Sequence, residues 1–299
     1  TLPPNVRRGG AAVERFTADE EVTNCGVLIN NWFVPAYLQK DGSWVCLYPY
    51  PYAMTPQDYK NSVQITATDL AGNKTTSHLT VLAYDRRFRN DKLTISDSFL
   101  QQVQSKLGNL APNAPDPLQC YLTINTQVRA QNIAKLQTLS HESASAMLFD
   151  GVFIHMPRAA TRANFADHRT LIYQNQVVGE AYHLGIDLAS VRNAEIPAAN
   201  SGKVVFTGDM GVYGNLCLID HGLGLFSLYA HMNDFTVKPG DLVKKGDLIG
   251  HTDSTGLAFG DHLHFGIIVG GLEVTPIEWL DPKWVRNIVN NINGTVPAR

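Results

Sequence analysis

Charge is scarce in this 299-residue chain: Asp, Glu, Lys and Arg make up 17% of it, and 24 basic against 27 acidic residues leave a net charge of −3. No basic stripe able to neutralise a phosphate backbone is present, which argues against a nucleic-acid partner. No apolar run approaches the ~18 residues that a membrane-crossing helix needs, so no transmembrane segment is expected. Cysteine is limited to Cys25, Cys46, Cys120 and Cys217. None of them forms a C-x-x-C pair, which argues against a cysteine-ligated zinc site. Cys25 and Cys46 lie close enough in sequence to close a small loop, and their pairing as a disulfide stays open. The chain starts at Thr1 instead of Met and reads as processed or truncated, with any signal or anchor removed. Neither an internal repeat nor a low-complexity tract is apparent.

What is present is a globular composition, 44% hydrophobic, whose patterning changes along the chain. Residues 1–11, rich in Pro, Gly and Arg, read as a flexible lead-in. Residues 12–85 carry short alternating runs ("CGVLI", "SWVCLY", "SVQITATD", "SHLTVLAY"), with Asp69, Gly72 and Asn73 supplying turn chemistry between the last two. This stretch looks like a small β-sandwich, similar to bacterial immunoglobulin-like modules with their "A-x-D-x-A-G-N" hairpin. Residues 86–150 read as a helical connector. Ser96 is placed to cap a helix over "DSFLQQVQSKL", the prolines of "GNLAPNAPDP" mark a loop, and Leu122, Val128, Ile133, Leu136 and Leu139 have helical spacing within 121–147. Residues 151–299 return to β-type runs divided by glycines, with a hairpin signal at Gly270-Gly271 and a closing amphipathic helix over 282–292 opened by Pro282.

The chemistry concentrates in that last part. "YHLGIDLA" holds His183 and Asp187, "IDHG" holds His221, "YAHM" holds His231, and "GDHLHFG" holds His262 and His264. Side chains two apart on a strand share a face, so His262 and His264 point the same way, as do His183 and Asp187 if that segment is extended. A single strand histidine is ordinarily just a half-buried side chain. H-x-x-x-D, a separate histidine and H-x-H within 82 residues is a far more specific pattern. Zinc accepts imidazole nitrogen and carboxylate oxygen at about 2.0–2.2 Å, and a catalytic site keeps three protein ligands and an open position. Two histidines and one carboxylate match that count and leave two histidines for proton transfer. Spacing alone does not say which is which.

Over residues 180–275 the chain resembles the lysostaphin-type (LytM-type) zinc metallopeptidases, which cut peptides in bacterial cell walls. The segments that carry the resemblance are "HLGIDLA", "IPAANSGKVVFTGDMGVYGNLCLIDHGLGLFSLYAHM", "VKPGDLVKKGDLIGHTDSTG" and "GDHLHFG". It implies Zn2+ as cofactor, with His183, Asp187 and His264 as its ligands and His231 and His262 in catalytic roles. It also implies a mainly β fold, whose C-terminal antiparallel sheet carries the metallopeptidase groove, a periplasmic or secreted location, and peptidoglycan stem peptides or cross-bridges as partners. Zinc can lower the pKa of bound water from 15.7 to about 7. Tyr213 falls where the family has a loop over the cleft and is a candidate substrate contact. His221 is expected to end a strand, and His251 and Asp261 to be structural. Asp167, His168 and Arg169 could edge the cleft. Two features depart from the family: Gly266 follows "HLHF" where relatives often have an acid, and a longer insert, 158–182, replaces the usual lead-in to the first metal histidine. The rival readings are a non-catalytic wall-binding or hydrolase-activating protein on the same fold, and a metal carrier. The bond cleaved, and endopeptidase against carboxypeptidase action, are left open.

Overall fold

The structure is a computed structural model that describes residues 4–295. Its first module is built from two sheets. One contains Ala11–Phe16, Trp44–Pro49 and Tyr37–Leu38; the other contains Trp32–Pro35, Val22–Ile29, Val63–Asp69 and Lys74–His78. Between them lie Cys25, Val27, Ile29, Cys46, Tyr48, Tyr59 and Val63. Cys25 and Cys46 are separate buried thiols. At the expected hairpin the Asn73 amide donates to Asp69 Oδ1 (2.8 Å), and Gly72 takes the left-handed backbone that the turn requires. Residues 1–3 of the expected flexible lead-in lie outside the described residues, and the rest of it differs from expectation. Asn5–Arg7 pairs in parallel with Leu82–Tyr84, and the Gly9 carbonyl accepts from Thr275 N at 2.7 Å. A strand partner and a buried Val6 outweigh the disorder that Pro and Gly suggest locally.

The strand Trp44–Pro49 is apolar on both sides, and that decides how the module sits. Cys46 and Tyr48 face the sandwich interior, while Val45 and Leu47 join Ala11 and Val13 in the core of the C-terminal part. The two parts therefore share buried surface. The Ala11 amide and the Arg86 guanidinium both donate to the Glu278 carboxylate, at 3.2 and 2.6 Å.

In the connector, Ser96 Oγ accepts from Phe99 N (3.2 Å) at the start of the helix Asp97–Leu107. Asp116 caps Pro117–Thr123, which runs through a single π turn, Ile124–Val128, into Arg129–Leu139. Helix ends there, short of the expected 147. Beyond Ser140 the backbone is held instead by the turn at Asp220–Gly224: Ala144 N donates to Asp220 Oδ2 and Leu148 N to the His221 carbonyl.

The C-terminal part is a ten-stranded antiparallel sheet whose central order is Ala160–Ala163, Ile186–Ala189, Leu263–Val269, Leu225–Phe235, Asn215–Asp220, Gly202–Asp209, Leu242–Val243. Strand alternation gives it two buried faces. Phe265, Ile267, Tyr229 and Ile219 pack with Trp279 and the closing helix Pro282–Ile292. Leu216, Leu218, Phe226 and Leu228 pack under the connector, against Leu100, Val103, Ile124 and Leu136. Gly270 and Gly271, both at positive φ, turn the chain into Leu272–Val274 as expected. The 158–182 insert folds into a hairpin, Asp167–Tyr173 with Gln176–His183, and the connector strand Asn90–Thr94 adds to it in parallel.

Candidate metal centre

The H-x-x-x-D motif is not one extended segment. His183 ends the insert hairpin and Asp187 lies on the next strand, Ile186–Ala189, after a bend at Leu184-Gly185. Asp187 is then the direct cross-strand partner of His264, so the two side chains rise from the same side of the sheet. The outcome is a closed triangle: His183 Nε2 to Asp187 Oδ1 2.9 Å, His183 Nε2 to His264 Nδ1 2.9 Å, and His264 Nδ1 to Asp187 Oδ1 3.0 Å. Gly185 allows it, because a Cβ there would stand 2.6 Å from His264 Nε2.

The proton inventory of this triangle shows what it is suited to hold. His183 Nδ1 lies 2.9 Å from the Asn164 carbonyl, which can only accept, so the ring proton sits there and Nε2 offers a lone pair. Burial pushes the Asp187 carboxyl up, and it is protons and positive charge on His183 and His264 that would hold it well below the ordinary range. Burial pushes His264 down to about 4, so it is neutral at pH 7 and carries one proton at most. Its Nε2 is buried with no partner. When His183 presents its Nε2 lone pair and His264 is neutral, that positive charge is missing where three ligand-type atoms converge, and a shared cation would supply it. Among the described residues these three form the one group of His, Cys, Asp or Glu with metal-ligand spacing.

His231 and His262 stand beside the triangle. His231 interrupts the strand Leu225–Phe235 with φ +62 in a bulge: Asn215 opposes Met232 and Cys217 opposes Tyr229, so one residue faces two. Met232 and Tyr229 both face the far core. The extra residue is therefore what turns His231 onto the side of the sheet that bears the triangle, at a positive φ that costs backbone strain. Its Nδ1 lies 2.7 Å from the Thr255 carbonyl. Burial, and then the charges of His264 and His262, push its pKa well down. His262 Nδ1 lies 2.8 Å from the Gly260 carbonyl, its Nε2 is 3.6 Å from Asp187 Oδ1, and its ring centre is 4.9 Å from that of His231. In both rings a carbonyl holds the Nδ1 proton, and Nε2 is the nitrogen left to exchange one.

These residues line a cleft of about 280 Å³. Tyr213 lines it too, on the turn Gly211–Tyr213, with its ring 5.8 Å from His264 and its hydroxyl pKa raised by burial. Arg169 is on the wall, whereas Asp167 is buried beneath it, accepting from Asn164 N, and His168 stacks on Tyr182 while bonding Glu180. His221 is fully buried after the strand Asn215–Asp220, between the Ser201 carbonyl and Ser227 Oγ, both at 2.7 Å. His251 pairs with Asp234, and Asp261 accepts from Asn193 N and Thr252 Oγ1, all outside the cleft. The wall that sequence reasoning missed comes from the connector: Phe99, Tyr121, Asn125 and Arg129. Their helical spacing signals burial, and nothing local says against what.

Residues 181–276 match the family model described as Peptidase family M23. The DD-carboxypeptidase/endopeptidase Mpg of Neisseria meningitidis serogroup B is 38% identical over 95 residues, covering 32% of this chain and 22% of that protein. The murein hydrolase activator NlpD of Escherichia coli is 36% identical over 105 residues, covering 35% of this chain and 27% of that one. The chain thus spans about a quarter of the length of these relatives. A Pseudomonas aeruginosa crystal structure assigned to peptidase M23 superposes with a TM-score of 0.55 at 18% identity, over 92% of this chain and 94% of that one. That likeness is one of fold, and it extends over the first module and the connector.

Proposed function

We propose that this chain, whose residues 181–276 belong to peptidase family M23, is a zinc-dependent endopeptidase that hydrolyses peptide cross-links of bacterial peptidoglycan in the periplasm or outside the cell. The observation that carries the reading is the proton-poor triangle of His183, Asp187 and His264 with two further imidazoles beside it. The similarity to Mpg, a named DD-carboxypeptidase/endopeptidase, supports the choice of wall peptides.

His183, Asp187 and His264 would hold zinc, which when bound polarises a scissile carbonyl and acidifies water. The remaining work falls to the chain's own groups. His183 is locked in its metal-ready tautomer by Asn164, as a ligand imidazole needs to be. His231 and His262 each keep Nδ1–H on a backbone carbonyl, so each can take a proton at Nε2 and return it to the departing amine. The depressed pKa of His231 makes it a weak base and, once protonated, a strong donor. The connector helices exclude water from one side of the cleft.

The similarity to NlpD, a named murein hydrolase activator, favours a second reading, in which the same cleft binds wall peptide or a partner hydrolase without cleaving. Mass analysis of muropeptides from defined walls separates the two. The enzyme releases new peptide ends, loses that activity to a chelator and regains it with zinc. His264→Ala loses bound zinc and activity together, whereas His231→Ala and His262→Ala lose activity and keep the metal. Unchanged muropeptides after digestion with zinc-loaded protein would leave the activator reading standing.

A further inference from the structure

We infer that Arg129 and Arg169 form a carboxylate-binding subsite in the cleft, which selects peptides whose scissile amide nitrogen is one carbon away from a free terminal carboxylate. The inference rests on the peptidase reading for which bond is cut, but the subsite itself rests on the two arginines.

Arg169 reaches the cleft through sheet register. In the insert hairpin Asp167 opposes His183 and Arg169 opposes Ala181, so Arg169 lies on the face that bears His183. It stands two residues along, about 7 Å at the ordinary strand rise. Arg129 reaches the cleft from the connector. The π turn Ile124–Val128 sets the phase of the helix that follows it, and such single-turn insertions frequently mark functional positions. Asn125, inside that turn, donates from Nδ2 to the Glu180 carbonyl at 3.0 Å. Arg129 in turn donates from Nη2 to Asn125 Oδ1 (3.2 Å) and from Nε to the Asn125 carbonyl (3.3 Å). Neutral groups therefore hold Arg129 in place; the one carboxyl that feels its charge, the buried Glu273, is not ion-paired with it and does not line the cleft.

Neither guanidinium has an acid within ion-pair distance among the described residues. The acids best placed by register are taken: Asp91, the strand partner of Arg169, pairs with Arg89 at 2.8 Å, and Glu180 pairs with His168 at 2.9 Å. The one carboxylate lining the cleft, Asp187, belongs to the metal triangle. Two half-buried guanidinium groups with no ion-paired carboxylate among the described residues, in a cleft of about 280 Å³, leave their hydrogen-bonding forks open to an anion from outside. A planar fork suits a carboxylate by paired hydrogen bonds. A peptide placed with its carbonyl at the metal triangle carries its next α-carbon, and that carbon's carboxylate, beyond the scissile nitrogen. A bond cut just before a chain end, or before a residue whose α-carboxylate is free in a cross-link, meets this description; an internal bond of a glycine bridge does not.

The test uses the zinc-loaded full chain and three synthetic wall-type peptides of one sequence: one with a free terminal carboxylate, one with a terminal carboxamide, and one amidated peptide with a side-chain carboxylate instead. The wild type is expected to favour the first by about tenfold or more in kcat/KM, mainly through KM. Arg129→Gln and Arg169→Gln should each bring the ratio of the first two toward one, and Arg129→Lys, which keeps charge but loses the fork, should fall between. Equal rates on the first two peptides by the wild type, a ratio retained in both Gln variants, or preference for the side-chain acid would each overturn the subsite. Equilibrium binding of the same peptides, read by fluorescence anisotropy, separates this from the parent reading. Preferential binding of the free carboxylate without turnover supports the subsite and defeats the peptidase, while indifferent binding defeats the subsite.

Discussion

Gly185→Ala tests the proposed metal triangle without altering His183, Asp187 or His264. The added Cβ would lie 2.6 Å from His264 Nε2, 2.7 Å from its Cε1 and 2.7 Å from the Phe265 carbonyl, against 3.4 Å for ordinary contact. Neither neighbour gives easily. The Phe265 carbonyl belongs to the strand paired with Ile186, and the His264 ring is fixed through Nδ1 to both other donors. Relief requires the ring or the strand Ile186–Ala189 to retreat by the better part of an ångström, whereas ligand distances tolerate only about ±0.2 Å. We expect zinc affinity to fall about 10- to 100-fold, the range found when groups that orient a metal ligand are disturbed. By tenfold steps this is about 1.4–2.7 kcal/mol. Competition against a chromophoric chelator measures it, with Gly266→Ala as the control. Gly266 lies two residues on in the same strand, but its Cβ would meet nothing nearer than Leu228 at 3.5 Å, so its affinity should match the wild type. Wild-type zinc affinity in Gly185→Ala would refute the argument that His264 needs that space.

Three further outcomes follow from the packing. His221 is fully buried, and burial pushes its pKa down to about 4 from 6.5. Its contribution to stability is complete above pH 6.5 and is lost as pH falls through 4, about 3 kcal/mol in all; urea titrations at pH 7 and 4 should show that this difference shrinks in His221→Gln. Glu278→Leu leaves Arg86 and the Ala11 amide without their acceptor where the first module meets the C-terminal part. It should cost about 3 kcal/mol in the same assay. Asn132 Oδ1 accepts from Val212 N at 2.9 Å and thereby ties the Tyr213 turn to the connector, so Asn132→Ala should raise KM on wall peptide more than it lowers kcat.

The grouping of His183, Asp187 and His264 was legible in the sequence for a partly mistaken reason. The even spacing of His183 and Asp187 suggests one face of one strand, yet the chain bends at Leu184-Gly185 and the two lie on different sheets. What the motif encodes is the bend: a glycine that lets a hairpin end and a strand start meet over His264. His264 obeys strand alternation directly. His262 does not belong to that strand at all, being held by a lone bridge to Asp253. His231 was visible only as an isolated histidine, because a bulge has no local sequence signature and strict alternation would have sent this side chain to the opposite core.

The module boundaries show the same limit from another side. Helix starts were readable where a cap is local, as at Ser96 and Pro282. What those helices cover depends on contacts far away in sequence. The apolar stripe through Leu100, Val103, Ile124 and Leu136 faces Leu216, Phe226 and Leu228, residues that read on their own as ordinary strand. Since His264 rises from the sheet face that these strands share, burying the stripe necessarily brings Asn125 and Arg129 to the edge of the metal triangle. The connector thus forms one wall of the cleft, and the proposed arginine subsite would draw its specificity in part from outside the segment that matches the family model.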